Sequence, residues 1–85
     1  MKTISYTITD ELGMHARPAS NIVKKAKEWG GKVEIGTPEK MVDGKRILGV
    51  MALALKQGDT FNMTFEGEGE QEVADNMLAY LQQEL

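Results

Sequence analysis

The sequence predicts an α+β fold, an antiparallel sheet with helices packed on one of its faces. Three observations carry that expectation: strict polar–apolar alternation over Thr3 to Thr9 and around Phe61, Met63 and Phe65, helical spacing of apolar residues in two long segments, and glycine- or proline-marked turns between them. Eighty-five residues without a cysteine suffice for one small core, so a single domain spanning residues 1–85 is expected, with no disulfide or thiolate metal site to support it.

Thr3 to Thr9 places Ile4, Tyr6 and Ile8 on one face, the mark of a half-buried strand, and Asp10 to Met14 follows as a loop. From Ala16 to Trp29 the residues Ala19, Ile22, Val23 and Ala26 recur at helical spacing, and Gly30-Gly31 stops the helix. Lys32 to Gly36 puts Val33 and Ile35 on one face, Thr37-Pro38-Glu39 turns, and Lys40 to Asp43 returns, which makes a hairpin. Ile47 to Leu55 is apolar on nearly all sides, so periodicity fits a helix or a buried strand; a short helix over Arg46 to Leu53 is the preferred reading, with Val50, Leu53 and Ala54 on its inner side. After Gln57-Gly58-Asp59, the alternating Phe61, Met63 and Phe65 form a strand, closed by Gly67-Glu68-Gly69. Glu70 to Leu85 returns to helical spacing through Val73, Ala74, Met77, Leu78 and Leu81, with acidic residues near the positive end of the helix dipole. The resulting order is βαββαβα.

Chemistry concentrates in Gly13-Met14-His15-Ala16-Arg17-Pro18-Ala19, which holds the only histidine. Pro18 is tolerated in the first turn of a helix, where a missing N–H costs nothing, so His15 belongs at the helix start. The first N–H groups of a helix have no intrahelical acceptor and carry the positive end of its dipole, so an anion placed there meets donors already aimed at it. A neutral imidazole offers one ring nitrogen as a nucleophile, and Arg17 adds a cationic fork. Phosphoryl transfer needs mainly positioning and charge stabilisation. With no second base and no nucleotide or magnesium site nearby, the segment reads as a passive phosphate acceptor rather than a kinase. One histidine without cysteine supplies too few ligands for a metal, and no cofactor is expected.

The net charge of −3 conceals an asymmetry, because all 10 basic residues lie at or before Lys56 and the rest of the chain carries only acidic ones. A localised positive face for acidic proteins or phosphate fits this better than nucleic-acid binding, for which stacking aromatics and an overall basic balance are also missing. No apolar run reaches membrane-spanning length, and the chain reads as cytoplasmic. Arg17, Ser20, Lys24 and Lys27 recur at i, i+3, i+7 and i+10 and so form one helical stripe. That stripe is either a solvated helix face or an electrostatic guide toward acidic partners. Ile47, Leu48 and Met51 are either core or an exposed docking patch in which Met51 adapts to different partners.

Leu12-Gly13-Met14-His15-Ala16-Arg17-Pro18-Ala19, together with Lys45-Arg46-Ile47-Leu48-Gly49-Val50-Met51-Ala52-Leu53, resembles the HPr family, the histidine-containing phosphocarriers of the phosphoenolpyruvate-dependent sugar phosphotransferase system. The likeness extends over essentially the whole chain. It implies an open-faced β-sandwich and a monomeric relay in which His15 accepts a phosphoryl group from enzyme I on Nδ1 and passes it to an enzyme IIA protein, with Arg17 stabilising the phosphate. It favours a docking role for Ile47, Leu48 and Met51, beside which Ala16, Ser20, Lys24 and Lys27 are further candidate binding residues on the helix that begins at the histidine. It also leaves room for a regulatory, nitrogen-type paralogue that binds other proteins according to its phosphorylation. One departure stands out: Arg46 occupies the place of the regulatory serine found in many Gram-positive relatives, which argues against serine-phosphate control here.

Overall fold

Alternation in the sequence becomes a four-stranded antiparallel sheet in the computed structural model, which describes all of residues 1–85. The elements are β1 (Lys2–Thr7), α1 (Ala16–Lys27), β2 (Lys32–Thr37), β3 (Lys40–Asp43), α2 (Ile47–Ala52), β4 (Thr60–Glu66) and α3 (Glu70–Glu84). The strand order is β1-β4-β2-β3, so the last strand enters between the first two. Order and type agree with the α+β, βαββαβα expectation, and the helices cover one face of the sheet.

The register explains that one-sided cover. Ile4 and Ile35 both pair with Met63, Tyr6 with Phe61 and Val33 with Phe65, so the apolar positions of three strands converge on one side. On the other side stand Thr3 opposite Thr64, Ser5 opposite Asn62 and Thr7 opposite Thr60, with Ser5 donating to Asn62 and a 2.7 Å hydroxyl pair between Thr7 and Thr60. Against the apolar side α1 buries Pro18, Ala19, Ile22, Val23 and Ala26, and α3 buries Ala74, Met77 and Leu81. Phe61 and Phe65 lie fully inside, where each contributes on the order of 1.5–3 kcal/mol. No polar or charged residue is buried as a whole, and the one buried side-chain polar atom without a partner is the Tyr80 hydroxyl.

Three element ends differ from expectation. Helix α1 stops at Lys27 rather than Trp29, because Trp29 turns inward: its ring packs on Phe65 with centroids 6.3 Å apart and its indole N–H donates to the Glu68 carbonyl at 2.8 Å. Gly31 allows this, since a Cβ there would run into the Trp29 ring. Strand β1 ends at Thr7, yet Ile8 remains buried, with its N–H donating to Asp59 at 3.0 Å and its carbonyl accepting from Gly58 at 2.9 Å. Helix α2 is the expected short helix with Val50 buried and Leu53 half-buried beneath it, but Ala54 does not belong to that inner side. It is exposed beyond the helix end with φ at 52°, the left-handed turn that swings Leu55 back into the core. No helix is long and apolar enough to cross a membrane.

Candidate functional site

The loop that delivers His15 is fastened at both ends by backbone. The Leu85 carbonyl, at the end of α3, accepts the Thr9 N–H at 2.6 Å, the Asp10 N–H at 2.9 Å and the Thr9 hydroxyl at 2.8 Å. Asp10 then closes the turn, its carboxylate accepting from the Leu12 N–H at 2.9 Å and its carbonyl from the Gly13 N–H at 3.0 Å. Gly13 has φ at +63°, and a Cβ there would lie 2.7 Å from the Leu55 carbonyl oxygen, so this close approach requires glycine. One residue on, the Met14 N–H donates to that same carbonyl at 2.9 Å while its side chain enters the core.

His15 is the N-cap of α1, with extended backbone (φ −87°, ψ −175°) and a carbonyl that accepts the Ala19 N–H at 3.1 Å. Its imidazole makes no cap hydrogen bond and is half-exposed, so the ring is available to an incoming group. Helix geometry supplies what surrounds it. The N–H groups of Ala16 and Arg17 have no acceptor in the fold, Pro18 has no N–H, and the first turn contains no acidic residue to occupy the donors. The Arg17 side chain is exposed and enters no ion pair, since the only pairs are Met1–Glu70 and Asp43–Arg46. A free nucleophile, two free amides and a free guanidinium thus gather at one helix end. That arrangement can hold a covalently attached dianion and has no means of making one by itself.

Ala16, Arg17, Ser20, Lys24 and Lys27 are all exposed along α1. Ser20, Lys24 and Lys27 line a shallow groove of about 510 Å³ that Ile47 closes from α2, so the cationic stripe and the apolar patch are neighbours. Arg17 stands at the histidine end of the stripe and does not line that groove. Leu48 is 82% exposed, and Ile47 and Met51 are 37% exposed each, which settles them as surface rather than core. Sequence reasoning overlooked Leu12, a 72% exposed leucine three residues before the histidine. Its signal was its position: a large apolar side chain between Glu11 and Gly13 in the loop. No group of three or more His, Asp or Glu side chains is placed to hold a metal ion.

With this geometry in hand, the comparisons with known proteins are specific. The family model described as "PTS HPr component phosphorylation site" matches residues 2–83. The chain is 47% identical to the phosphocarrier protein HPr of Lysinibacillus sphaericus over 95% of this chain and 92% of that protein. It is 36% identical to the HPr-like protein Crh of Bacillus subtilis, covering 86% of each. Its fold superposes on the crystal structure of HPr from Thermoanaerobacter tengcongensis with a TM-score of 0.91 at 29% identity, over 98% of this chain and 93% of that one. The chain belongs to the HPr family, the phosphoryl carriers of the phosphotransferase system, which carry the group without acting as enzymes.

Proposed function

We propose that the chain works as one HPr-like domain whose His15 accepts a phosphoryl group on Nδ1 from phosphorylated enzyme I and yields it to an enzyme IIA protein. The observation that carries this reading is the unengaged His15 ring at the cap of α1, beside two amides that lack acceptors. In the transfer, the Nδ1 lone pair attacks phosphorus, the bond from phosphorus to the donor's leaving atom breaks, and the Nε2 proton stays on the ring. Ala16 and Arg17 N–H groups and the Arg17 guanidinium take up charge on the three phosphoryl oxygens. The return step reverses these roles, so a stabilisation that is modest suits a carrier better than a tight one.

Partner docking falls to the surface around the histidine. Lys24 and Lys27 guide acidic partners, Ala16 and Ser20 give close approach near the cap, and Ile47, Leu48 and Met51 supply apolar contact that releases quickly. The protein acts as a monomer in the cytoplasm. A two-step transfer assay tests the relay: phosphorylated enzyme I, then this chain, then an enzyme IIA protein, each resolved by phosphate-affinity electrophoresis. Label reaching enzyme IIA only when the chain is present supports the relay; label arrested on enzyme I contradicts it.

The likeness to Crh supports a second reading, a regulatory paralogue, including the nitrogen type, that binds other proteins according to its phosphorylation state. Capture experiments with the phosphorylated and unphosphorylated forms separate the two readings, since sugar-specific IIA partners favour the relay and nonsugar regulators favour the paralogue.

A further inference from the structure

At the far end of α1 from the histidine, a surface crease of about 580 Å³ is lined by Lys27, Asp43, Lys45, Arg46, Ile47 and Leu48. Lys27 lies twelve positions after His15, about 18 Å along the helix axis, so this is a second place on the molecule. Its charge is organised by the turn that joins β3 to α2. The Asp43 carbonyl accepts the Arg46 N–H at 3.2 Å, and one Asp43 carboxylate oxygen accepts the Lys45 N–H at 2.9 Å. The other carboxylate oxygen lies 3.8 Å from Arg46 Nε, too long for a hydrogen bond, and the Arg46 side chain is 82% exposed. Its guanidinium fork is therefore largely uncommitted. The Lys45 ammonium donates to the Trp29 carbonyl at 2.6 Å, which fixes that cation in the wall of the crease and covers a carbonyl that would otherwise repel an anion.

We infer that this crease binds the phosphate of a small phosphorylated metabolite, a phosphate monoester on a compact carbon skeleton. Three cations against one carboxylate leave an excess matching the roughly −1.5 to −2 charge of a monoester at neutral pH. The planar Arg46 fork fits two phosphate oxygens, Lys27 and Lys45 add point charges, and Ile47 with Leu48 forms an apolar wall for the carbon skeleton. Lys27, Ile47 and Leu48 also belong to the docking surface of the proposed relay. On that reading a bound ester competes with partner docking and couples the carrier to the level of phosphorylated small molecules.

The test uses the unphosphorylated full chain, so it stands apart from whether His15 accepts phosphate. Glucose 6-phosphate, inorganic phosphate and glucose are each titrated at constant ionic strength into 15N-labelled protein. The expected result is saturable shifts of the Lys45, Arg46, Ile47 and Leu48 amides with the two phosphates, none with glucose, and affinity about tenfold weaker in Arg46→Gln. Arg46 is exposed and its side chain has no hydrogen bond, so the variant keeps the fold. Shifts that never saturate, that centre on Ala16 and Arg17, or that Arg46→Gln leaves unchanged overturn the inference.

Discussion

The Met14 amide donates to the Leu55 carbonyl at 2.9 Å, and this bond ties the histidine loop to the chain leaving α2. The loop before His15 hangs on it and on the Leu85 carbonyl, so the histidine is placed by backbone contacts rather than by a buried polar network. The consequences reach residues that carry no chemistry.

Gly13 is the first of them. Gly13→Ala places a Cβ 2.7 Å from the Leu55 carbonyl and forces a side chain into the left-handed region. The conformation alone costs about 1–2 kcal/mol, and the clash adds to it by pushing the loop off Leu55. Urea denaturation shows the lost stability, and phosphoryl acceptance slows in the same variant because the cap of α1 is displaced.

Ala54 offers the reverse change. It already holds φ at 52° with no glycine to relieve it and is exposed, so Ala54→Gly removes strain without opening a cavity. The gain is about 0.5–1 kcal/mol once the greater freedom of glycine in the unfolded chain is set against it. A thermal melt registers that as a rise of a few degrees, roughly 4–8 °C per kcal/mol for a domain of this size.

Glu70 makes stability depend on pH. Its carboxyl is held below the ordinary value of 4.5, chiefly by the hydrogen bond from the chain's terminal ammonium at 2.9 Å and next by the Gly67 N–H at 3.1 Å. A carboxyl depressed on folding contributes stability above its unfolded pKa and loses it as pH falls through the folded value. Denaturation midpoints of the parent therefore drop more than those of Glu70→Gln between neutral pH and pH of about 3, and the two curves converge in stronger acid.

Arg17→Ala separates charge from fold. The side chain is exposed and unpaired, so stability stays within about 0.5 kcal/mol, whereas phosphoryl transfer loses a charge-assisted contact of about 1–3 kcal/mol, roughly 5- to 150-fold in rate. Stopped-flow quench with phosphorylated enzyme I measures the second quantity and circular dichroism the first.

Local patterns were legible wherever one residue's environment repeats along the chain. Ile4, Phe61, Met63 and Phe65 announced strands through alternation, and Ile22, Val23 and Ala26 announced α1 through helical spacing. His15 at a helix start followed from Pro18, whereas the spacing of Leu48 fitted core and surface alike until the structure left it exposed. What stayed hidden depends on residues far apart in sequence. Trp29 looked helical by spacing but is claimed by Phe65 and Glu68, an alanine gave no sign that position 54 is left-handed, and the hold of Leu85 on Thr9 joins opposite ends of the chain. The groove between α1 and α2 needed both helices in place before Lys27 and Ile47 became neighbours.

The central claim is that His15 receives the phosphoryl group. Intact-mass measurement after incubation with enzyme I, magnesium and phosphoenolpyruvate, repeated after acid treatment and on His15→Ala, tests it most directly. The account predicts one acid-labile phosphoryl addition on the parent chain and none on the variant. An addition that persists in His15→Ala, or none on the parent while the same enzyme I charges a control carrier, contradicts it.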